Sequence, residues 1–199
     1  MVRRRGTPSQ NWRSFLHNHA ASIATIDMFV VACASFQLLY VMIILDHHRR
    51  KISHTAVTDH PTAAWLLRQV TEAFPWDPAP RYLLRDSDAS YGSYFCSRVE
   101  AMSITEVVTA PRSPWQNGYV EREIGSIRRK CLDHMAIFNE RHLRRVLSSY
   151  VDYYQGTRTH LSLDKDCPDS RAIMPHKIGK MVAIPKVGGL HHRCERLSA

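Results

Sequence analysis

Three acidic residues occupy positions at which a folded backbone would hold a carboxylate firmly. Asp27 stands inside an apolar stretch with strand character, where an unpaired carboxylate is costly to bury. Asp86 comes at the end of a short apolar strand, the place where α/β sheets commonly bind ligands. Glu121 lies one turn into a predicted helix. Carboxylate oxygens are the hard ligands that Mg²⁺ and Mn²⁺ prefer, and acids that converge on two such ions support phosphoryl transfer.

Each of these acids also has an ordinary structural explanation. Asp27 fits an acid at a strand edge that faces water, and Glu121 fits an acid that interacts favourably with the N-terminal dipole of its helix. Asp88 lies two residues after Asp86 and competes with it for the same role. The residue types alone therefore leave the choice between Asp86 and Asp88 open.

The charge balance favours a polyanionic partner. Lys and Arg number 27 against 18 Asp and Glu, which gives a formal net charge of +9. Such an excess points to nucleic acid first and to an anionic membrane surface second. The five cysteines are spread widely, without paired spacing, which argues against a disulfide framework and a zinc ribbon and fits a reducing cytoplasm.

The segment around Glu121 is rich in side chains that bind phosphate or stack on bases. The candidate DNA contacts are Arg112, Trp115, Gln116, Asn117, Arg122, Arg128, Arg129 and Lys130. Basic side chains near a metal site can hold phosphates without reading sequence, whereas most charge runs are simply solvated helix faces. Arg128 follows Glu121 by about two helical turns, on nearly the same face. Trp115 either stacks on a base of an opened DNA end or pins its loop to the core.

The order of the predicted elements indicates an α/β domain. Three consecutive strands are followed by alternating helices and strands and then by terminal helices, a pattern typical of a mixed central sheet with flanking helices. We expect a basic arm and a short helix over residues 1–20, a core over 21–156 and an irregular tail over 157–199. A helix is predicted to start at Thr58-Asp59-His60-Pro61.

The uncharged run from Met28 to Leu45 has two interpretations. It is just long enough to span a membrane and is followed by a basic cluster. It is also rich in β-branched and aromatic residues and is bounded by Asp27 and Asp46, which favours two buried strands joined by a turn around Cys33 to Ser35. We adopt the strand pair as the prediction, and we therefore expect no membrane partner.

The acids belong to a composite pattern that resembles a known family. Ser113, Pro114, Asn117, Gly118 and Glu121 match a segment of the form Ser-Pro-x-x-Asn-Gly-x-x-Glu, about 35 residues after Asp86. Tyr154, Arg158, His160, Leu163 and Pro168 match a downstream Tyr-x-x-x-Arg-x-His-x-x-Leu run with its following proline. Residues 20 to 170 thereby resemble the catalytic core of the Asp-Asp-Glu transposases and retroviral-type integrases, specifically the bacterial insertion-sequence transposases.

The resemblance implies a fold, a chemistry and a set of partners. The fold would be ribonuclease-H-like, and Asp27, Asp86 and Glu121 would hold two Mg²⁺ or Mn²⁺ ions that support DNA cleavage and strand transfer during transposition. The partners would be the element ends and target DNA, bound by a homo-oligomer of a cytoplasmic, nucleoid-associated bacterial protein.

Two features depart from the family pattern. The usual Asp-x-Gly is absent after the second acid, where residues 86–91 read Asp-Ser-Asp-Ala-Ser-Tyr. The family also carries an N-terminal helix-turn-helix that reads the element's end, and we expect this chain to lack that DNA-reading domain. A nuclease of the same fold and a catalytically decayed or truncated DNA-binding remnant therefore stay open as alternatives, although the Asn-Gly-x-x-Glu segment favours the transposase.

Overall fold

A mixed five-stranded sheet forms the centre of the molecule. The computed structural model describes residues 11–75, 79–88, 90–175, 177 and 179–197. The sheet consists of β1 (Ile23–Ala32), β2 (Leu38–Asp46), β3 (Ile52–Thr58), β4 (Tyr82–Arg85) and β5 (Thr105–Val108). Its strand order is β3-β2-β1-β4-β5; β1, β2 and β3 pair antiparallel, and β1, β4 and β5 pair parallel. The predicted mixed sheet is confirmed.

Helices cover both faces of this sheet. They are α1 (Trp12–His19), α2 (Ala63–Ala73), α3 (Ser93–Ala101), α4 (Gly118–Lys130) and α5 (Glu140–Gly156). One core joins α2 and α3 to Met42 and Ile44 of β2, and the other joins α4 and α5 to Val41 and Ile43. Successive residues of β2 point to opposite faces, so a strand buried on both sides has to be apolar throughout.

The uncharged run is accordingly two strands, as expected. β1 and β2 are joined by a turn over residues 33–37, closed by the Cys33 amide donating to the Gln37 carbonyl at 2.8 Å. Phe36 occupies the left-handed region of the turn with a φ of 62°. Within the described ranges, no helix has the length and apolar character needed to cross a membrane.

The predicted start of α2 is wrong by a few residues. The helix begins at Ala63, and its cap is Thr62, whose hydroxyl accepts a hydrogen bond from the Trp65 amide at 3.2 Å. Thr58 is still part of the sheet, where it pairs with Tyr40 of β2. Thr58 thus ends β3, and the helix begins only after its cap Thr62.

The predictions for the two ends of the chain have different outcomes. The predicted short helix near the N-terminus is α1, while the basic arm falls on residues 1–10, outside the described residues. The expected irregular tail is wrong for residues 180–197, which form a hairpin of β6 (Lys180–Lys186) and β7 (His191–Leu197). Gly188 and Gly189 supply the positive φ angles of its turn, 64° and 89°. The hairpin escaped prediction because most side chains of β6 are exposed, which leaves no buried face to impose an alternating pattern.

Candidate active site

The three candidate acids line one cavity. Asp27, Asp86 and Glu121 all face a space of about 200 Å³, and the rest of its wall comes from Ser87, residues 109–114 and Asn117. Two of the acids come from the sheet and the third from α4. The structure therefore brings together residues that lie far apart along the chain.

Strand register explains why the two aspartates meet. In the parallel pairing of β1 with β4, Thr25 lies opposite Leu84. Asp27 and Asp86 each follow two residues later, so Asp27, near the middle of β1, lies beside Asp86 at the carboxyl end of β4. This is the end at which parallel strands commonly build ligand sites.

A buried hydrogen bond fixes the start of α4 against β1. The Thr25 hydroxyl donates to the side-chain oxygen of Asn117, and the Asn117 amide nitrogen lies 3.5 Å from the Ile26 carbonyl. Asn117 is 4% exposed and stands one turn before Glu121. Its side chain is hydrogen-bonded inside the protein, where it tethers the helix that carries Glu121, and its contact with DNA stays a prediction.

The loop before α4 closes on itself. The Gln116 side-chain oxygen accepts a hydrogen bond from the Ala110 amide at 2.7 Å, and the Ser113 amide donates to the Ala110 carbonyl at 3.2 Å. Arg112 adopts a positive φ of 56° at the bend and reaches the cavity wall. The Trp115 side chain is not pinned to the core, because the residue is 69% exposed. The loop thus displays Arg112 and Trp115, while Gln116 shapes it.

Burial makes ionisation of the two aspartates unfavourable. Burial, reinforced by the charges of Glu121 and Asp86, raises the pKa of Asp27 to about 7, although a 2.7 Å hydrogen bond from the Met28 amide opposes the shift. Burial also raises the pKa of Asp86. In the described part of the chain, none of the three acids forms a salt bridge. A cation placed in the cavity would relieve this electrostatic cost.

Asp88 has a different local role from Asp86. Hydrogen bonds from the Ser90 side chain and from the Ser90 amide, the latter at 2.7 Å, lower the Asp88 pKa. Asp86, not Asp88, lines the cavity. The geometry therefore supports Asp86 as the second acid of the site, while Asp88 stabilises the turn that follows.

Sequence reasoning missed an ion pair directly behind Asp86. Arg85 is 7% exposed, and its Nε donates to Glu106 of β5 at 2.6 Å while NH1 donates to the Asp86 carbonyl at 2.8 Å. The guanidinium also lies over the ring of Tyr91, 4.8 Å from its centre. A signal was present in the chain, because an arginine at the end of a buried strand needs an acid on a neighbouring strand.

Comparisons with known proteins agree with this architecture. Residues 102–168 match the model of the integrase core domain family. The catalytic core of BIV integrase covers 74% of this chain and 91% of its own length, with 12% identity and a TM-score of 0.56. The HTLV-2 integrase core in complex with magnesium covers 74% and 93%, with 11% identity and a TM-score of 0.58. The fold is that of an integrase catalytic core.

The chain also resembles a protein of an insertion element. The IS476 uncharacterized 39.2 kDa protein of Xanthomonas euvesicatoria is 23% identical to this integrase-type core over 145 residues, or 72% of the chain. The chain spans only 42% of that protein's length. A chain of the simian T-cell lymphotropic virus intasome, in complex with PP2A regulatory subunit B56 gamma, also matches. The match covers 87% of this chain and 66% of that chain, with 14% identity and a TM-score of 0.62. The resemblance to transposase and integrase cores is confirmed.

Arg112 lines the cavity, and further basic side chains lie along α4 of this integrase-type core. Arg128 donates to the Val30 carbonyl at 3.0 Å and lies over the Phe29 ring at 5.2 Å, which holds it along β1 while it stays exposed. The exposed residues Arg112, Arg122, Arg129 and Lys130 form no salt bridge in the described ranges. Their charges are available to an anionic partner.

The cavity offers donor atoms of the type that bind divalent cations. Three carboxylates without salt bridges offer the hard oxygens that Mg²⁺ and Mn²⁺ select. Among the residues that the structure describes, however, no three side chains of metal-binding type lie close enough together to hold an ion. Binding would therefore have to draw the carboxylates of Asp27, Asp86 and Glu121 inward.

Proposed function

We propose that this integrase-type core cleaves DNA strands and joins them to target DNA during transposition. Asp27, Asp86 and Glu121 would hold two Mg²⁺ or Mn²⁺ ions. One observation carries the proposal: three acids that form no salt bridge among the described residues line a single cavity beside the carboxyl end of β4. In a protein with a large excess of basic residues, such a concentration of negative charge is suited to cations that bridge protein and phosphate.

Two divalent ions, when bound, supply activation of the attacking oxygen and stabilisation of the leaving one. The chain's own residues set the geometry. Asp27 and Asp86 are fixed by strand register, and Glu121 is fixed by the Asn117 tether at the start of its helix. Arg112 and the loop that carries it close one side of the cavity. DNA would approach over this loop and along the exposed face of α4.

The basic surroundings support DNA as the substrate. Arg122, Arg128, Arg129 and Lys130 follow Glu121 on the same helix and are exposed, so they would hold phosphates on either side of the reacting one. Trp115 is exposed next to Pro114 of the cavity wall, and its ring would stack on a base of an opened element end. Element ends and target must be held at once, which favours a homo-oligomer assembled on DNA.

Strand cleavage and joining by the purified chain test the proposal. The substrates are labelled duplexes that carry the inverted repeats flanking its reading frame, together with a supercoiled target plasmid. We expect cleavage and joining in Mg²⁺ or Mn²⁺, and their loss in Asp27→Asn, Asp86→Asn and Glu121→Gln at undiminished DNA affinity. Asp88→Asn is the matched control and should stay active. Full activity of any of the three acid variants would remove that residue from the site.

A DNA-binding remnant is the second candidate. The observation in its favour is that the described acids do not converge to metal-binding distance. A remnant would bind duplex DNA through the same basic residues and would show no cleavage with either metal. A nuclease of the same fold would cleave DNA without joining it to the target. Measuring cleavage and joining in one reaction therefore distinguishes the transposase, the nuclease and the remnant.

A further inference from the structure

The segment after α5, residues 157–169, is fastened to the buried side of α4; we call it the strap. Arg158 of the strap places its NH1 nitrogen 2.6 Å from the Ser126 hydroxyl, 3.0 Å from the Tyr150 hydroxyl and 3.4 Å from the Glu123 carboxylate. Tyr150 also donates to Glu123 at 3.0 Å. These side chains link α4, α5 and the strap in one polar network inside the second core.

Glu123 is the acid of this network, and it faces away from the cavity. Residues two apart on a helix project roughly 200° apart, so Glu123 points into the protein when Glu121 points into the cavity. Glu123 is 5% exposed. A buried acid in this position needs its arginine.

The far end of the strap is fastened to the turn between β2 and β3, residues 47–51. Arg49 of that turn forms an ion pair with Asp166 at 2.8 Å and donates to the Pro168 carbonyl at 2.7 Å. Lys51 pairs with Asp169 at 2.6 Å. The strap therefore spans from α4 to the sheet.

The same turn also contacts the first turn of α4. The Arg50 guanidinium lies 4.5 Å over the ring of Tyr119, and His47 meets that ring edge-on at 4.7 Å. The Tyr154 hydroxyl donates to the Arg50 carbonyl at 2.8 Å. Helix, turn and strap thus form a closed circuit of contacts around the helix that carries Glu121.

We propose that Arg158 is a positioning residue for Glu121, acting through Glu123 to fix the rotation of α4 about its axis. The inference rests on the proposed function of the cavity. Without Arg158 the buried Glu123 carboxylate would lose its positively charged partner and keep only hydroxyl donors such as Tyr150, and α4 would turn to bring it towards water. The same rotation carries Glu121 out of line with Asp27 and Asp86.

The chemistry of the contact requires an arginine. Besides its three polar contacts, the Arg158 guanidinium lies over the ring of Tyr154, 5.3 Å from its centre. A lysine is one atom shorter and lacks the flat face that stacks on the ring. Arg158→Lys should therefore restore charge but only part of the alignment.

Binding of Mn²⁺ alone, followed by electron paramagnetic resonance on the purified chain, tests this role apart from catalysis. Residues that orient metal ligands typically change metal affinity by about 10–100-fold. We expect Arg158→Gln to weaken Mn²⁺ binding by about that factor and Arg158→Lys to weaken it less. The double variant Glu123→Leu/Arg158→Leu should recover much of the affinity, because it removes the unpaired buried charge. Arg68→Gln breaks an exposed ion pair on α2 and serves as the matched control with parent affinity.

The outcomes separate the inference from the function on which it rests. If Arg158→Gln is folded by circular dichroism and binds Mn²⁺ like the parent, while Asp27→Asn does not bind it, the positioning role is overturned and the metal site stands. If the parent itself binds no Mn²⁺ and cleaves no DNA, both are overturned. If Arg158→Gln, Arg158→Lys and the double variant all unfold, the network serves stability alone and the positioning role is wrong.

Discussion

Asp27 near the middle of β1 lies beside Asp86 at the carboxyl end of β4, each two residues beyond the paired positions Thr25 and Leu84 of these parallel strands. Their proximity is a consequence of strand register, so it survives changes in the surrounding loops. Both carboxylates are partly withdrawn from water, and burial raises both pKa values. The sheet places this pair, and the contacts of α4 place Glu121, the third acid of the candidate site.

The metal-free protein should lose stability as pH rises. The pKa of Asp27 is about 7 when folded against an ordinary 3.8, so between about pH 4 and pH 7 the folded state keeps a proton that the unfolded state releases. Its contribution to stability is therefore complete below about pH 4 and lost as pH rises through 7. We expect a loss of about 2–4 kcal/mol from this group, measured by urea unfolding in a chelator across this range.

One variant and the addition of Mg²⁺ assign that pH profile to Asp27. Asp27→Asn cannot ionise and should flatten the profile, although Glu123, whose pKa is also raised to about 7, will leave part of the slope. Adding Mg²⁺ should reverse the trend above pH 7, because the cation binds the ionised acids. Parallel profiles for parent and Asp27→Asn would show that Asp27 titrates normally.

The ion pair behind Asp86 should be costly to break. Arg85 and Glu106 are 2.6 Å apart with side chains 9% and 14% exposed, so removal of one partner leaves a buried charge. We expect Arg85→Met to lower the free energy of unfolding by about 3–5 kcal/mol, as read from urea denaturation. The double variant Arg85→Met/Glu106→Met should recover most of this loss. Equal losses in the single and double variants would mean that packing, not charge pairing, matters here.

Much of the fold follows from sequence alone. Fewer of the hydrogen bonds and ion pairs within the site do. The apolar run from Met28 to Leu45 predicts two strands because its residue types and bounding acids act locally. The Thr25–Asn117 and Arg85–Glu106 contacts join distant segments, and only strand register and the placement of α4 decide which residues meet. Periodicity carries no information about such register.

The composite motif predicted more than periodicity did. Asn117 matches the motif, and the sequence suggested that it contacts DNA, yet its side chain is buried against Thr25. Arg158 also matches, and its partner Glu123 could not be identified from spacing because helix α5 intervenes between them. A motif identifies which residues matter, and the structure assigns the contacts through which they act.

Arg128 should contribute to DNA affinity without reading sequence. It is exposed along β1, and a guanidinium there would meet the phosphate backbone. We expect Arg128→Ala to weaken binding about equally for all duplexes and to make the log–log salt dependence shallower by roughly one unit. Fluorescence anisotropy over a salt series measures both effects. Asn117→Ala, with its side chain buried in the parent, should leave the slope unchanged; a slope unaffected by Arg128→Ala would make that residue part of a solvated helix face.

Trp115 should act on DNA and not on stability. The residue is 69% exposed, so Trp115→Ala should change the free energy of unfolding by no more than about 0.5 kcal/mol. Stacking on a base of an opened end contributes about 1–3 kcal/mol, so binding of frayed duplexes should weaken by that amount and binding of fully paired ones much less. Thermal melts and competition binding give the two numbers. An equal loss for frayed and paired DNA would exclude base stacking.

Anomalous diffraction from crystals soaked in Mn²⁺ tests the central claim most directly. The account predicts Mn²⁺ in the cavity, with carboxylate oxygens of Asp27, Asp86 and Glu121 as ligands at about 2.0–2.3 Å and a second ion roughly 3.5–4 Å from the first when DNA is present. It also predicts that Asp88 stays bonded to the Ser90 amide and binds no metal. Mn²⁺ found only elsewhere on the protein, or held in the cavity without Glu121, would contradict it.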